Sequence, residues 1–342
     1  MAKKNITFDD IAKYTNFSKT TISRYFNNPD SLTLKNQQII ADALTALNYQ
    51  ENKVARILAN GKTEFVGIIV PNLYLHYYSE MLNQILSTYE TFGYKFLVFV
   101  GNEKKDVERQ YLKELLAYKI EGMIILSHTI SSEELASYNI PIVAIEREDQ
   151  YISSVNTDNY LGAVQATSLL YKSGCDILVH ANSKNMPENL PAYGRIQGFL
   201  DICRQQSLPY ELILDEFGST YEQNKQKIEV IADTLEEKYP DKKKGIFMSN
   251  DTHANILLNI LIRRFGTLPD TYRIVGFDNS PVSSEAIIPI STVGQQIDKI
   301  AAEAMELLVT QMNDRKKRRP TLSSEPVHKT VTPVLVRRGT TD

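Results

Sequence analysis

Residues 7–28 read T-F-D-D-I-A-K-Y-T-N-F-S-K-T-T-I-S-R-Y-F-N-N, and residues 47–63 read L-N-Y-Q-E-N-K-V-A-R-I-L-A-N-G-K-T. Thr7 and Ser18 each precede a short helical pattern, where a hydroxyl can accept hydrogen bonds from the free N–H groups of a first turn. Ile11 and Ile22 supply the apolar faces of the two helices, so small polar side chains are left exposed at the start of the second. This pattern predicts a helix-turn-helix, which presents such side chains to the base edges of DNA.

Both stretches resemble the lactose repressor (LacI/GalR) family of bacterial transcription regulators, whose pattern is roughly T-x-x-D-V-A-x-x-A-G-V-S-x-x-T-V-S-R-x-x-N, then G-Y-x-P-N-x-x-A-R-x-L-x-x-G. The matching positions are Thr7, Asp10, Ile11, Ala12, Ser18, Thr21, Ile22, Ser23, Arg24, Asn27, Leu47, Tyr49, Asn52, Ala55, Arg56, Leu58 and Gly61. In the turn, Asn16 replaces the usual Gly, and Asn tolerates the left-handed backbone that Gly would take. Glu51 replaces the Pro that would start the connector helix, which leaves that helix less well started.

Charge is distributed unevenly along the 342 residues, although the net charge is only −3. Residues 1–63 carry 9 Lys and Arg against 5 Asp and Glu, whereas the remainder carries 29 against 36. The basic end is the part that we expect to meet phosphate, although an ordinary solvated surface would show the same surplus. The chain is long enough for two or three compact units.

The number of cysteines and the hydropathy of the sequence indicate the cellular compartment of the protein. Only Cys175 and Cys203 occur, which argues against a disulfide framework and suits a reducing environment. The sequence contains neither a signal-peptide pattern nor an apolar run long enough to span a membrane. We therefore expect a cytoplasmic protein without a membrane association, which excludes a secreted solute receptor.

From Glu64 onward, short apolar runs alternate with helix-length amphipathic segments. The runs predict strands at residues 65–71, 94–100, 122–127, 141–147, 177–182, 212–217, 245–250 and 273–278. The amphipathic segments predict helices at residues 79–92, 107–119, 158–173, 195–206, 219–239, 252–265 and 297–312. This alternation builds parallel sheets with helices on both faces, here in two doubly wound halves.

The same family resemblance extends over the α/β region. V-G-I-I-V-P-N-L-Y-L-H-Y-Y-S-E-M (66–81) is similar to the family's I-G-L-I-V-P-D-I-S-N-P-F-F-A-E-L, and R-I-V-G-F-D-N (273–279) is similar to its V-G-F-D-D. The resemblance implies an all-α helix-turn-helix headpiece and an α/β core of two doubly wound parallel-sheet subdomains of periplasmic-binding-protein type. Chain crossings are then expected near residues 160, 291 and 323.

These crossings give the expected domain organisation. The DNA-binding domain is expected at residues 1–50, a hinge helix and linker at 51–63, and an effector-binding and dimerisation core at 64–342. Within the core, the N-subdomain would contain residues 64–160 and 292–323, and the C-subdomain residues 161–291 and 324–342.

Ligands of open α/β sheets lie beyond the carboxyl ends of the strands, where aromatic faces and a few polar groups suit a carbohydrate. By family position and strand ends, the effector-binding candidates are Tyr74, Tyr77, Glu146, Asp158, Arg195, Phe217, Asp251 and Gln295. Alternatives remain open for several of them. Asp251, or its neighbour Asn250, could simply cap the following helix. Arg195 could form a surface ion pair, and the tyrosines could belong to the core.

The resemblance also assigns roles on DNA. Lys19 and Thr20 are expected to read base edges in the major groove. The residues expected to fix the phosphate backbone are Thr7, Ser18, Thr21, Ser23, Arg24, Asn27 and Thr33. Asn52, Ala55 and Leu58 match the family's hinge helix, in which the leucine wedges into the minor groove. Alternatively, Leu58 is an ordinary apolar hinge residue.

The resemblance implies a repressor of carbohydrate-utilisation genes that binds a palindromic operator as a homodimer and is controlled allosterically by a sugar or sugar phosphate. The alternative is a regulator of the same fold controlled by a protein partner such as a phosphocarrier. We expect no enzyme, because no nucleophile or cofactor loop is recognisable, and the five scattered histidines lack metal-ligand spacing. We therefore expect no catalytic residues, no cofactor and no metal ligands.

Overall fold

The structure, a computed structural model, describes residues 6–50, 62–184, 190–317 and 325–342. The chain divides into two compact units, Met1–Lys62 and Thr63–Asp342. Among the described helices, none combines the length and the apolar character that a membrane span requires.

Three helices form the described part of the first unit: α1 (Phe8–Thr15), α2 (Lys19–Asn27) and α3 (Leu34–Ala46). Thr7 and Asp10 form a capping box at the start of α1, in which the Asp10 carboxylate accepts the Thr7 N–H at 2.9 Å. Ser18 accepts the N–H of Thr21 at 3.1 Å at the start of α2. Between the two helices Asn16 has a φ of 58°, so the left-handed turn predicted there is confirmed. The fully buried core residues are Ile11, Ile22 and Ile40.

The second unit contains two six-stranded sheets. Strands of the first sheet are β1 (Phe65–Val70), β2 (Lys95–Val100), β3 (Gly122–Ile125), β4 (Ile142–Ile145), β5 (Ser153–Thr157) and β11 (His328–Val331). They lie in the order β11-β5-β4-β3-β1-β2, and all are parallel. The helices of this half are α4 (His76–Ser87), α5 (Tyr89–Phe92), α6 (Lys105–Ala117), α7 (Ser132–Ser137) and α13 (Ile297–Arg315).

Strands of the second sheet are β6 (Ile177–Ser183), β7 (Tyr210–Asp215), β8 (Lys244–Met248), β9 (Tyr272–Asp278), β10 (Ser291–Gly294) and β12 (Val334–Val336). Their order is β12-β10-β9-β8-β6-β7, and only β12 runs antiparallel to its neighbour. The helices of this half are α8 (Asn159–Lys172), α9 (Gly194–Gln205), α10 (Tyr221–Lys238), α11 (Asp251–Phe265) and α12 (Pro281–Glu285). Apolar clusters cover both faces of each sheet, as doubly wound sheets require.

The chain passes between the two halves at three points. The first passage lies between β5 and α8, close to the expected residue 160. The other two lie further along the chain than expected. β10 belongs to the second sheet, so the second passage follows Gly294 rather than residue 291. β11 belongs to the first sheet and β12 to the second, so the third passage falls between Val331 and Val334 and not near residue 323.

These differences have a common cause in the short polar strands. β5 reads S-S-V-N-T, β10 reads S-T-V-G and β11 reads H-K-T-V, so none shows the apolar run from which strands were predicted. The short helices α7 and α12 were missed as well. The helix predicted over residues 79–92 begins earlier, at His76, and gives way at Thr88 to the separate short helix α5. The predicted strand–helix alternation is otherwise confirmed.

Candidate nucleic-acid interface and ligand cleft

The first turn of α2 presents Lys19 and Thr20 to solvent, and both side chains are exposed. Ser18 caps the helix from the preceding position, so its hydroxyl satisfies the N–H of Thr21. The Lys19 ammonium lies 2.6 Å from a carboxylate oxygen of Asp9 on α1. The base-reading candidates are thus accessible, and one of them is paired with an anion within the same unit.

The candidates for phosphate contacts lie mainly at helix starts. Thr7, Ser18 and Thr33 are the N-caps of α1, α2 and α3, where free N–H groups and the helix dipole favour an anion. Arg24 is exposed, and the Asn27 amide donates to the backbone oxygen of Ser23 at 3.0 Å. Thr21 and Ser23 are partly buried. The hinge candidates Asn52, Ala55 and Leu58 lie outside the described residues.

Between the two halves of the second unit lies a cavity of about 470 Å³, a volume within the range of small-molecule sites. Five effector candidates line it, namely Tyr77, Glu146, Arg195, Phe217 and Gln295. Tyr77 comes from α4 of the first half, whereas Arg195 and Phe217 come from α9 and from the segment after β7 in the second. A ligand in this cavity would therefore contact both halves.

One chain of hydrogen bonds joins the halves through Asn159. Glu146 accepts the Asn159 amide at 2.6 Å and the N–H of Thr157 at 2.6 Å. Arg195 Nε donates in turn to the Asn159 side-chain oxygen at 2.7 Å, and Arg195 Nη1 donates to the Ser249 carbonyl at 2.6 Å. The Arg195 guanidinium also lies 3.7 Å from the centre of the Phe277 ring. These contacts fix the guanidinium at the cavity wall.

A second chain runs through Gln295, just after the second passage between the halves. Thr157 donates to the Gln295 side-chain oxygen at 2.6 Å, and the Gln295 amide donates to Asp278 at 2.6 Å. Asp278 is the last residue of β9, and Glu146 directly follows β4. Their φ angles of 112° and 59° are strained for residues with a side chain. Strained backbone of this kind is concentrated at ligand-binding positions.

Three effector candidates do not line the cavity. Asp158 caps α8 by accepting the N–H of Leu161 at 2.9 Å. Tyr74 precedes α4 and is likewise absent from the cavity wall. Asp251 is fully buried behind it, where it accepts the N–H of Ser280 at 2.8 Å and the hydroxyl of Thr292 at 2.6 Å.

Asn250, and not Asp251, is the cap of α11, because its side chain accepts the N–H of His253 at 2.8 Å. Asn250 also lines the cavity, as do other polar residues that were not predicted: Asn72, Glu103, His128, Asn182, Ser183, Ser249, His253 and Asp278. Asp278 and Asn182 lie at the ends of β9 and β6, so the strand-end argument could have found them. Asn72, Glu103 and His128 follow strands of the first half by a few residues.

Burial sets the protonation of several cavity groups. Burial raises the pKa of Asp278, while the Arg195 guanidinium and the Gln295 amide lower it. Burial also lowers the pKa of His253 to about 4, and burial together with Arg147 lowers that of His128 to about 4. Both imidazoles are therefore neutral at pH 7.

Comparison with known proteins identifies the chain. Residues 167–341, about half of the chain, match the model of the periplasmic binding protein-like domain. The chain is 27% identical over 311 residues to the ribose operon repressor of Halalkalibacterium halodurans, covering 90% of this chain and 91% of that protein. It is 27% identical over 307 residues to the sucrose operon repressor of Pediococcus pentosaceus, covering 90% and 92%.

A crystal structure of the lac repressor dimer bound to operator and the anti-inducer ONPF matches with a TM-score of 0.81 at 21% identity, covering 99% of both chains. The match confirms the expected fold class. The curated relatives are repressors and not enzymes, which confirms that prediction too. The chain carries a periplasmic binding protein-like domain and belongs to the lactose repressor (LacI/GalR) family of bacterial transcription regulators.

Proposed function

We propose that the protein is a transcriptional repressor that binds a palindromic operator as a homodimer and whose affinity for DNA is set by an uncharged sugar in the cleft. The observation that carries this proposal is the cleft itself. Polar side chains from both halves surround one cavity, and Phe217 adds an aromatic ring to its wall. The relatives named for the ribose and sucrose operons support a carbohydrate as the ligand class.

The charges of the cavity favour an uncharged sugar over a sugar phosphate. Among the described lining residues Arg195 is the one Arg or Lys, and two of its nitrogens already donate to protein oxygens. The wall also contains the carboxyl groups of Glu103, Glu146 and Asp278. A phosphate dianion would meet three acidic groups against the one guanidinium among the described lining residues, and burying an incompletely paired charge is costly.

DNA binding is proposed from the helix starts of the first unit. Lys19 and Thr20 are exposed on the first turn of α2, which suits direct contact with base edges in the major groove. The capping residues Thr7, Ser18 and Thr33 would then position the backbone. The hinge roles of Asn52, Ala55 and Leu58 are carried over from the family pattern alone.

The test has two parts. Selection from a pool of random duplexes with the full-length protein should enrich a palindromic sequence. Isothermal titration with D-ribose, D-glucose, sucrose and glucose 6-phosphate should show binding of at least one uncharged sugar and weaker binding of the phosphate. Preferential binding of glucose 6-phosphate would contradict the charge argument. Operator binding that responds to none of these sugars but to a phosphocarrier protein would favour the alternative of a protein co-regulator.

A further inference from the structure

Two polar atoms in the cleft wall are buried without a hydrogen-bond partner among the described residues: the Tyr77 hydroxyl and Nε2 of His253. Both residues line the cavity, Tyr77 from α4 in the first half and His253 from α11 in the second. Buried polar groups are almost always hydrogen-bonded, because an unpaired group loses its interaction with water and gains nothing in return. Each of the two atoms therefore requires a partner that this chain's described residues do not supply.

The hydrogen bonds of Asn250 determine which nitrogen of His253 carries the proton. The backbone N–H of His253 donates to Asn250 Oδ1 at 2.8 Å, which fixes the orientation of the Asn250 amide. The Asn250 amide nitrogen then lies 3.2 Å from His253 Nδ1 and can only donate to it. The Ser249 hydroxyl lies at the same distance from Nδ1 and can donate to it as well. Because Nδ1 accepts the bond from Asn250, the proton of the neutral ring is on Nε2. The unpartnered atom of His253 is therefore a hydrogen-bond donor.

The His253 ring is held in one orientation. Its centre lies 4.3 Å from that of the stacked Phe217 ring, and the side chain is only 3% exposed. Burial also keeps the ring neutral at pH 7. The structure thus offers a fixed, uncharged donor on the wall of the cavity, which pairs with an acceptor oxygen and supplies no positive charge that would favour an anion.

We propose that His253 and Tyr77 are specificity-determining residues that hold one ligand from the two sides of the cleft. His253 Nε2–H donates to a hydroxyl, ring or carbonyl oxygen of the ligand, and the Tyr77 hydroxyl pairs with a ligand hydroxyl. A ligand bound to both residues joins α4 to α11 and so stabilises the closed cleft. This assignment deepens the proposed function and rests on it.

Substitutions of His253 test the assignment with isothermal titration of D-ribose, D-glucose and sucrose. His253→Phe keeps an aromatic ring but removes the donor, so it should weaken the binding of the sugar that the wild-type protein takes by roughly tenfold. His253→Gln supplies an amide donor and should recover most of that loss. His328→Phe is the matched control, because His328 is exposed on β11 and does not line the cavity. Equal affinities of His253→Phe and wild type, with equal melting temperatures, would overturn the assignment.

A second measurement needs no ligand. Long-range ¹H–¹⁵N correlation spectra of histidine-labelled protein report which ring nitrogen is protonated, and the His253→Gln spectrum identifies the His253 signals by their loss. We expect the Nε2–H tautomer at pH 7. An Nδ1–H tautomer would overturn the assignment even if a sugar binds. Failure of the wild-type protein to bind any of the three sugars would instead contradict the proposed function.

Discussion

The Nδ1 atom of His76 lies 2.9 Å from Thr252 Oγ1, which joins the first turn of α4 to the first turn of α11 across the ligand cleft. The backbone N–H of His76 donates to the same oxygen at 3.4 Å. These residues directly precede Tyr77 and His253, so the contact between the halves lies beside the proposed ligand contacts. The presence of this contact therefore shows that the cleft is closed.

Removing this contact should weaken ligand binding even though neither side chain is assigned to the ligand. His76→Ala and Thr252→Val each disfavour the closed cleft, and apparent affinity falls with the population of the binding-competent state. Because the two changes remove the same contact, the double variant should bind only as weakly as the weaker single variant. Isothermal titration of all four proteins should give a coupling free energy of about 0.5–1.5 kcal/mol. Fully additive losses would show that the two residues act independently.

Asp251→Asn should make the free energy of unfolding fall less as pH rises. Burial, and secondly the neighbouring Asp278, raises the pKa of Asp251, so the folded protein retains a proton that the unfolded chain releases at lower pH. Between the two pKa values the unfolded chain binds fewer protons, and the free energy of unfolding therefore falls as pH rises through that window. Asparagine cannot ionise. Urea unfolding of both proteins at pH 5 and pH 8 should show a smaller decrease for the variant.

Asp251→Asn also distinguishes a structural role of Asp251 from a role in binding the ligand. Asp251 lies behind the cavity wall and Asn250 on it, so Asp251→Asn should bind sugar nearly as well as the wild type, whereas Asn250→Ala should bind it more weakly. Loss of sugar binding in Asp251→Asn with an unchanged stability profile would make Asp251 a ligand contact after all.

The sequence predicted the doubly wound halves because most of their central strands are buried on both faces and read as apolar runs. It did not reveal β5, β10 or β11, since short strands that are mostly polar do not differ from loops in local pattern. Two passages between the halves were therefore placed too early. Burial by neighbouring strands, and not the local sequence, makes these segments extended.

In the cleft, strand ends and family position pointed to Tyr77, Glu146, Arg195, Phe217 and Gln295 as effector contacts; all five line the cavity, and their contact with a ligand stays a prediction. Asp251 shows the limit of that reasoning. Adjacent residues at a helix start point in different directions, so the sequence N-D could not show that Asn250 faces the cavity and Asp251 the interior. The role of His253 depends on the orientation of the Asn250 amide, which only the three-dimensional structure provides.

Asp9→Asn should strengthen non-specific DNA binding at low salt. Asp9 pairs with Lys19 at 2.6 Å, and its removal frees the ammonium and deletes a negative charge from the proposed interface. Exposed pairs contribute about 0.2–1 kcal/mol, so the gain should not exceed about fivefold. Fluorescence anisotropy with a random duplex measures the affinity at low and high salt, and salt should reduce the difference. Asp30→Asn removes an equal charge from the turn after α2 and serves as the control. An equal gain in both variants would mean that net charge alone is responsible.

Introducing charged residues on α4 and α5 should dissociate the proposed homodimer. Leu86 is 38% exposed and Tyr89 is 51% exposed, so both offer apolar surface outside the core. A double variant, Leu86→Asp with Tyr89→Asp, should sediment as a monomer and lose operator affinity. Val230→Asp, at a side chain that is 61% exposed on α10, should leave the assembly intact. A dimeric double variant would place the interface elsewhere.

The central claim, that α2 reads an operator whose affinity is set from the cleft, is tested most directly by one titration series. Affinity for the selected palindrome and for a scrambled duplex is measured by anisotropy, with and without the sugar that binds, for wild type, Lys19→Ala and His253→Phe. We predict that wild type prefers the palindrome and that sugar changes this affinity. Lys19→Ala should lose about 1–3 kcal/mol of preference, and His253→Phe should keep the preference but need more sugar for the same change. Equal affinity of the wild-type protein for both duplexes, with or without sugar, would contradict the account.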